Sequence, residues 1–125
     1  MGQPVVHFEI IGRDPARLRE YYGELFNWNF EVGDAASEAV SRRGEYGFVD
    51  GSTNGGGING GVGGGGGYAR GVLFYVGVPD VEAALKHAER LGGTRRMGPD
   101  GTPGSIVVGQ FVDPEGNLIG VAGTQ

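Results

Sequence analysis

The segment HFEIIGRDPARLREYYGELF, beginning at His7, aligns without a gap on LFYVGVPDVEAALKHAERLG, beginning at Leu73, at an offset of 66 residues. His7 falls on Leu73, Phe8 on Phe74, Ile10 on Val76, Asp14 on Asp80 and Leu25 on Leu91. A chain that repeats itself in this way builds the same supersecondary unit twice. Each copy opens with an apolar, strand-like run, is punctuated by proline and aspartate, and continues with helical periodicity. Asp14 and Asp80 are natural N-caps, and Pro15 stands at the first helical position, where its missing N–H costs nothing. The spacing predicts a first helix running to about Phe26 that buries Leu18, Tyr21, Tyr22 and Leu25. A second helix runs to about Leu91 and buries Val81, Ala84, Leu85, Ala88 and Leu91, with Gly92-Gly93 as its stop.

The remainders of the two copies also correspond. YGFVDGSTNGGGINGGV resembles GQFVDPEGNLIGVAG, with Phe48 on Phe111, Val49 on Val112, Asp50 on Asp113 and Ile58 on Ile119. DPEGN is a turn between strands, and DGSTNGG is its longer equivalent. Each half therefore reads as strand, helix and three strands. The predicted fold class is α+β: two βαβββ modules, the first over about residues 1–63 and the second over about 71–125. At 125 residues the chain fits one domain, and either half alone is short of a good core.

Between Gly51 and Gly67, 11 of 17 residues are glycine. A phosphate loop needs GxxxxGK[ST] between a strand and a helix, and the dinucleotide fingerprint needs GxGxxG in the same setting. No Lys-Ser or Lys-Thr follows here, and the next element is the strand GVLFYVGV, so nucleotide binding is not expected. GGGINGGV reads as the last strand of the first module, with Ile58 as its buried residue, and GGGGGYARG as a short flexible connection. Glycine this dense marks a backbone that something approaches closely, whether the other module, a second chain or a ligand.

The net charge is −5, and the ten Lys and Arg are scattered rather than striped, which argues against nucleic acid and suits a neutral or cationic small ligand. There is no cysteine, hence no disulfide framework and no thiolate ligand or nucleophile. The start MGQPVVHFEI has no signal-peptide pattern and no apolar run reaches spanning length, so no membrane partner and a cytoplasmic location are expected.

Three segments, VVHFEIIGRDPARLREYYGELFNWNF (Val5 to Phe30), VLFYVGVPDVEAALKHAERLGG (Val72 to Gly93) and FVDPEGNLIGV (Phe111 to Val121), resemble the vicinal oxygen chelate superfamily. That superfamily includes glyoxalase I, bleomycin-resistance proteins and extradiol dioxygenases, and the chain is most similar to its small single-domain glyoxalase-like members. The resemblance implies a single domain over residues 1–125 with a curved, half-open eight-stranded sheet. Ligands would lie in its concave face, helices on the convex side, and a homodimer would be the assembly. It further implies a metal position on four strands, which maps onto His7, Asn59, Leu73 and Gly120, with Asn59 placed to within a residue. Only His7 is a good donor among these, so no family-type metal and no other cofactor are expected.

Strand alternation sets Val6, Phe8 and Ile10 on one face and His7, Glu9 and Ile11 on the other. The first set belongs under the helix, so His7 and Glu9 face the ligand side. On the matching strand Phe74 and Val76 go under the helix, while Leu73 and Tyr75 face inward. His7, Glu9 and Tyr75 are thus the candidate proton-transfer residues. Candidate ligand contacts are His7, Glu9, Trp28, Phe48, Asn59, Leu73, Tyr75 and Gln110. Trp28 has core packing beside Phe26 and Phe30 as its alternative. Tyr46 flanks Gly47 and is a further possible lining residue. His87 and the Arg42-Arg43 pair read as solvated surface. Three functions remain open: metal-independent binding of a small organic ligand, a glyoxalase-family enzyme using His7, Glu9 and Tyr75 or an atypical metal site, and an interaction module without ligand.

Overall fold

In the computed structural model, which describes residues 2–125, the elements run β1 (Val5–Gly12), α1 (Pro15–Phe26), β2 (Glu31–Gly33), β3 (Tyr46–Val49) and β4 (Asn59–Gly64). They continue as β5 (Gly71–Gly77), α2 (Val81–Arg90), β6 (Thr94–Thr102), β7 (Ile106–Val112) and β8 (Leu118–Gly123). The class is α+β, and the order is strand, helix and three strands, twice over. Two compact units result: His7–Val72, called module one below, and Leu73–Gln125 with residues 2–6, called module two.

Module one has the sheet order β2-β3-β4-β1, with β1 parallel to β4 and the other neighbours antiparallel. Module two has the order β6-β7-β8-β5, with β5 parallel to β8 and the rest antiparallel. The repeat is therefore one of topology as well as of sequence. Both helices start as the caps predict. Asp14 accepts from the Arg17 N–H at 3.1 Å with Pro15 first in α1, and Asp80 accepts from the Ala83 N–H at 3.0 Å. Gly92, at φ +105, follows α2 and ends it. Asp113 closes the turn after β7 by accepting from the N–H groups of Glu115 and Asn117, each at 2.9 Å.

Module two buries Val81, Leu85, Val107 and Val121, with Phe111 packed against them. Gly109 makes the room: a Cβ there would stand 2.7 Å from Cδ1 of Leu85. The predicted α2 face is otherwise correct, but Leu91 lies past the last helical turn and is 70% exposed. Phe74 is also exposed, at 40%, while α2 packs over β6, β7 and β8.

Module one departs further from expectation. Its core is Val40, Val49, Val62 and Ile11, while Tyr21, Leu25 and Phe26 of α1 are more than half exposed. The helix turns Pro15, Leu18, Arg19 and Tyr22 inward, so Leu18 and Tyr22 of the expected face are covered and Tyr21 and Leu25 are not. The stem of Arg19 runs beneath β3 in the space left by Gly47, and its Nη1 donates to the Glu45 carbonyl at 2.6 Å. Ile58 precedes β4 and is 45% exposed; Val62 is the buried residue of that strand. The glycine-rich connection is anchored at both ends of its first half. Gly65 N–H donates to the Gly12 carbonyl, and the Tyr68 hydroxyl donates to the Glu38 carbonyl.

Among the described residues no helix is long and apolar enough to cross a membrane.

Candidate functional site

Alternation along β1 places Phe8 and Ile10 on the α1 side and His7, Glu9 and Ile11 on the opposite face. On that face Glu9 is 2% exposed, an unusual position for a carboxylate that calls for a partner. The partner is Tyr46, the first residue of β3, whose hydroxyl donates to Oε1 of Glu9 at 3.0 Å. The same hydroxyl lies 2.7 Å from Nε2 of His7. Since the hydroxyl has one proton and gives it to the carboxylate, a neutral His7 protonated at Nε2 completes the chain. Burial favours that neutral form and lowers the His7 pKa from 6.5 to about 4. His7, Tyr46 and Glu9 thus form a continuous imidazole–phenol–carboxylate line across two strands of module one.

Glycine makes this line possible. β1 and β4 pair in parallel register with His7 opposite Asn59 and Glu9 opposite Gly61, and β3 lies on the far side of β4. For the Tyr46 ring to reach from β3 to β1 it must cross β4 flat. A Cβ at Gly61 would overlap that ring, and one at Gly63 would come within 2.7 Å of it. The close approach marked by the glycine run is therefore made by an aromatic ring of the same module. Phe8 uses the other face in the same way, lying over Gly60.

Phe48, two residues on from Tyr46, stands beside His7 with ring centroids 6.3 Å apart and planes 14° from parallel. Phe48 and His7 are only half-buried, whereas Tyr46 and Glu9 lie deeper.

Module two has its own polar pair on the equivalent strand. Tyr75, 2% exposed, accepts from Nε2 of Gln110 at 2.8 Å, and Gln110 is 8% exposed. The Tyr75 ring lies over Gly120, its register partner, as Tyr46 lies over Gly61. Leu73, two residues before, is buried. Glu9 pairs with Gly61 and Tyr75 with Gly120, so the counterpart of Gly120 in module one is Gly61 rather than Asn59.

Asn59 itself is exposed, and its Oδ1 accepts from the Gly51 N–H at 3.0 Å, tying off the long turn. Trp28 does not join His7. It lies between α1 and β2 in an aromatic cluster on the helix side, its ring centroid 5.1 Å from both Phe8 and Phe26 and 5.8 Å from Tyr22. His87 is exposed on α2. Tyr46 is the residue that carries most of the site, and the sequence offered one sign of it: a Tyr-Gly-Phe strand facing a strand of almost bare glycine.

The four positions at which metal enzymes of this fold would place ligands do not suit a divalent ion. His7 is the single good donor, Leu73 is apolar, and Gly120 has no side chain and is covered by the Tyr75 ring. The fourth position is either Gly61, equally bare and covered by the Tyr46 ring, or Asn59, whose oxygen is committed to a turn. Among the described residues no three His, Asp or Glu side chains are grouped to hold a metal.

The chain belongs to the Glyoxalase/Bleomycin resistance protein/Dioxygenase superfamily, whose family model matches residues 5–121. No curated protein matches it. Among solved structures it is similar to a methylmalonyl-CoA epimerase in complex with methylmalonyl-CoA and NH4+, at 14% identity and TM-score 0.69, covering 98% of this chain and 94% of that one. A methylmalonyl-CoA epimerase from Streptomyces coelicolor gives 16% identity and TM-score 0.67 over 98% and 94%. A superfamily member from Vibrio splendidus 12B01 gives 14% identity and TM-score 0.58 over 98% and 99%. At these identities the likeness is one of fold.

Proposed function

We propose that this protein binds a small organic ligand on the face of module one that carries His7, Tyr46 and Phe48, without a metal of the family type. One observation carries the proposal: His7 is the single good donor among the family's metal positions, and among the described residues no three His, Asp or Glu side chains are grouped to hold a metal. A neutral imidazole and a phenyl ring, nearly parallel and half-buried, suit a planar aromatic ligand, whose polar atoms would meet the His7–Tyr46–Glu9 line behind them. Leu73, Tyr75 and Gln110 form a separate group within module two, while Trp28 and Asn59 serve packing and turn closure. Residues 1–125 act as one glyoxalase-like domain in a cytoplasmic homodimer.

The test is NMR observation of the His7 and Tyr46 ring signals during titration with metal-free bleomycin and a panel of aromatic metabolites, with EDTA present throughout. Saturable shifts at His7 support the proposal. Binding that appears only when zinc or manganese replaces EDTA refutes it.

The hydrogen-bonded line favours a second function, acid–base catalysis by His7 and Glu9 through Tyr46. A buried carboxylate joined through a phenol to a half-exposed imidazole can pass a proton to a bound molecule and recover it. Deuterium incorporation from D2O into small carbonyl compounds, surviving EDTA and lost in Glu9→Gln, would establish it over simple binding.

A further inference from the structure

A second cleft lies in module one on the α1 side of β1, the face opposite His7. It has a volume of about 680 Å³, within the range of sites for drug-sized molecules. The end of β1, the first half of α1 and the Arg70–Val72 segment enclose it. Ile10, Leu18, Tyr21, Tyr22 and Val72 supply its apolar walls. Two of these are anomalous for their type: Tyr21 is 59% and Val72 74% exposed. Large apolar side chains gathered round a concavity, yet left open to water, are the mark of a binding surface rather than of a core.

Charge says what the cleft would take. From His7 to Val72 the chain has nine Asp and Glu and six Arg, a net of −3. Three of those six arginines, Arg13, Arg17 and Arg70, border this one cleft. None of the three is in a salt bridge among the described residues. The single acidic residue at the rim, Asp14, has Oδ1 engaged as the cap of α1. An electropositive mouth over an apolar floor, in an otherwise acidic module, complements an amphipathic anion.

We infer that this cleft is a second ligand site, for a free small molecule with an apolar body and a carboxylate or phosphate head, its head at Arg13, Arg17 and Arg70 and its body against Leu18, Tyr21 and Val72. The site is independent of the function proposed above, since none of His7, Glu9, Tyr46 and Phe48 lines it.

Octanoate and octanol, which share an apolar body and differ in charge, separate the two contributions. Each is titrated against the full chain carrying the fluorescent anion 8-anilinonaphthalene-1-sulfonate. Octanoate is expected to displace the dye from one site per chain, at least about tenfold better than octanol. The Arg17→Gln/Arg70→Gln variant alters only exposed side chains, so it should keep its fold and lose about tenfold in dye and octanoate affinity. Tyr46→Phe should leave both affinities unchanged. Equal displacement by octanol, undiminished binding in the arginine variant, loss of binding in Tyr46→Phe, or preferential binding to phosphatidylglycerol vesicles over free octanoate would each overturn the inference.

Discussion

The hydroxyl of Tyr46 stands between two residues of β1, 2.7 Å from Nε2 of His7 and 3.0 Å from Oε1 of Glu9. Removing it takes one hydrogen-bonding partner from the buried Glu9 and one from the half-buried His7 while leaving the ring over Gly61 in place. Tyr46→Phe is therefore expected to lower stability by about 2 kcal/mol in urea unfolding, more than the deletion of an exposed hydroxyl would cost. If the variant unfolds at the wild-type midpoint, the line has no structural weight.

His7 gives the protein a definite acid response. Its pKa is about 4 in the folded chain and 6.5 in an unfolded one, because burial disfavours the imidazolium. Above 6.5 both states hold neutral histidine. As pH falls from 6.5 towards 4 only the unfolded state takes up the proton, so stability is progressively lost, by about 3 kcal/mol in all. The contribution is isolated as the wild-type response minus that of His7→Gln, measured by urea unfolding at several pH values. A difference that stays flat between pH 4 and 6.5, or rises as the pH falls, contradicts the account.

Glycine at position 61 is required by the ring that covers it. Gly61→Ala would force Tyr46 off β4 and is expected to cost roughly 1–3 kcal/mol. Gly57, beside which a Cβ meets nothing within 4 Å, is the control and should tolerate alanine with little change. Comparable midpoints for the two variants would mean that the glycine run is filler after all.

Helix α2 separates a buried leucine from an exposed one of the same repeat. Leu85 is fully buried against Val81 and Gly109, and Leu85→Ala should cost about 3 kcal/mol. Leu91 is 70% exposed, and Leu91→Ala should stay within about 0.5 kcal/mol of wild type. Thermal or urea unfolding of the pair checks both.

Much of the fold was legible because its signals are local. Asp14, Pro15, Asp80, Gly92 and the DPEGN turn act within a few residues of themselves, and a repeat at constant offset fixes their order. Strand alternation also placed His7 and Glu9 on a face opposite Phe8. What could not be read was which strands each helix would cover. Tyr21, Leu25 and Phe74 look like core in a periodic pattern, yet α1 turns Arg19 inward and α2 passes over β6, β7 and β8. Ile58 was misjudged for a related reason: β4 begins one residue later, and Val62 takes the buried position. Of the candidate site, the common face of His7 and Glu9 was legible from alternation, whereas Tyr75 was grouped with them and belongs to the other module. Tyr46 as the bridge was not legible, because a side chain reaching over an intervening strand depends on register, which glycine leaves unspecified.

The central claim is that His7 is committed to Tyr46 and not to a metal ion. NMR signals of the His7 ring, followed while one equivalent of zinc and then of nickel is added to the full chain at pH 7, test it most directly. The account predicts unmoved His7 signals and no stoichiometric metal on elemental analysis afterwards. A saturating shift or broadening of His7 at one equivalent, with the metal retained, would contradict it.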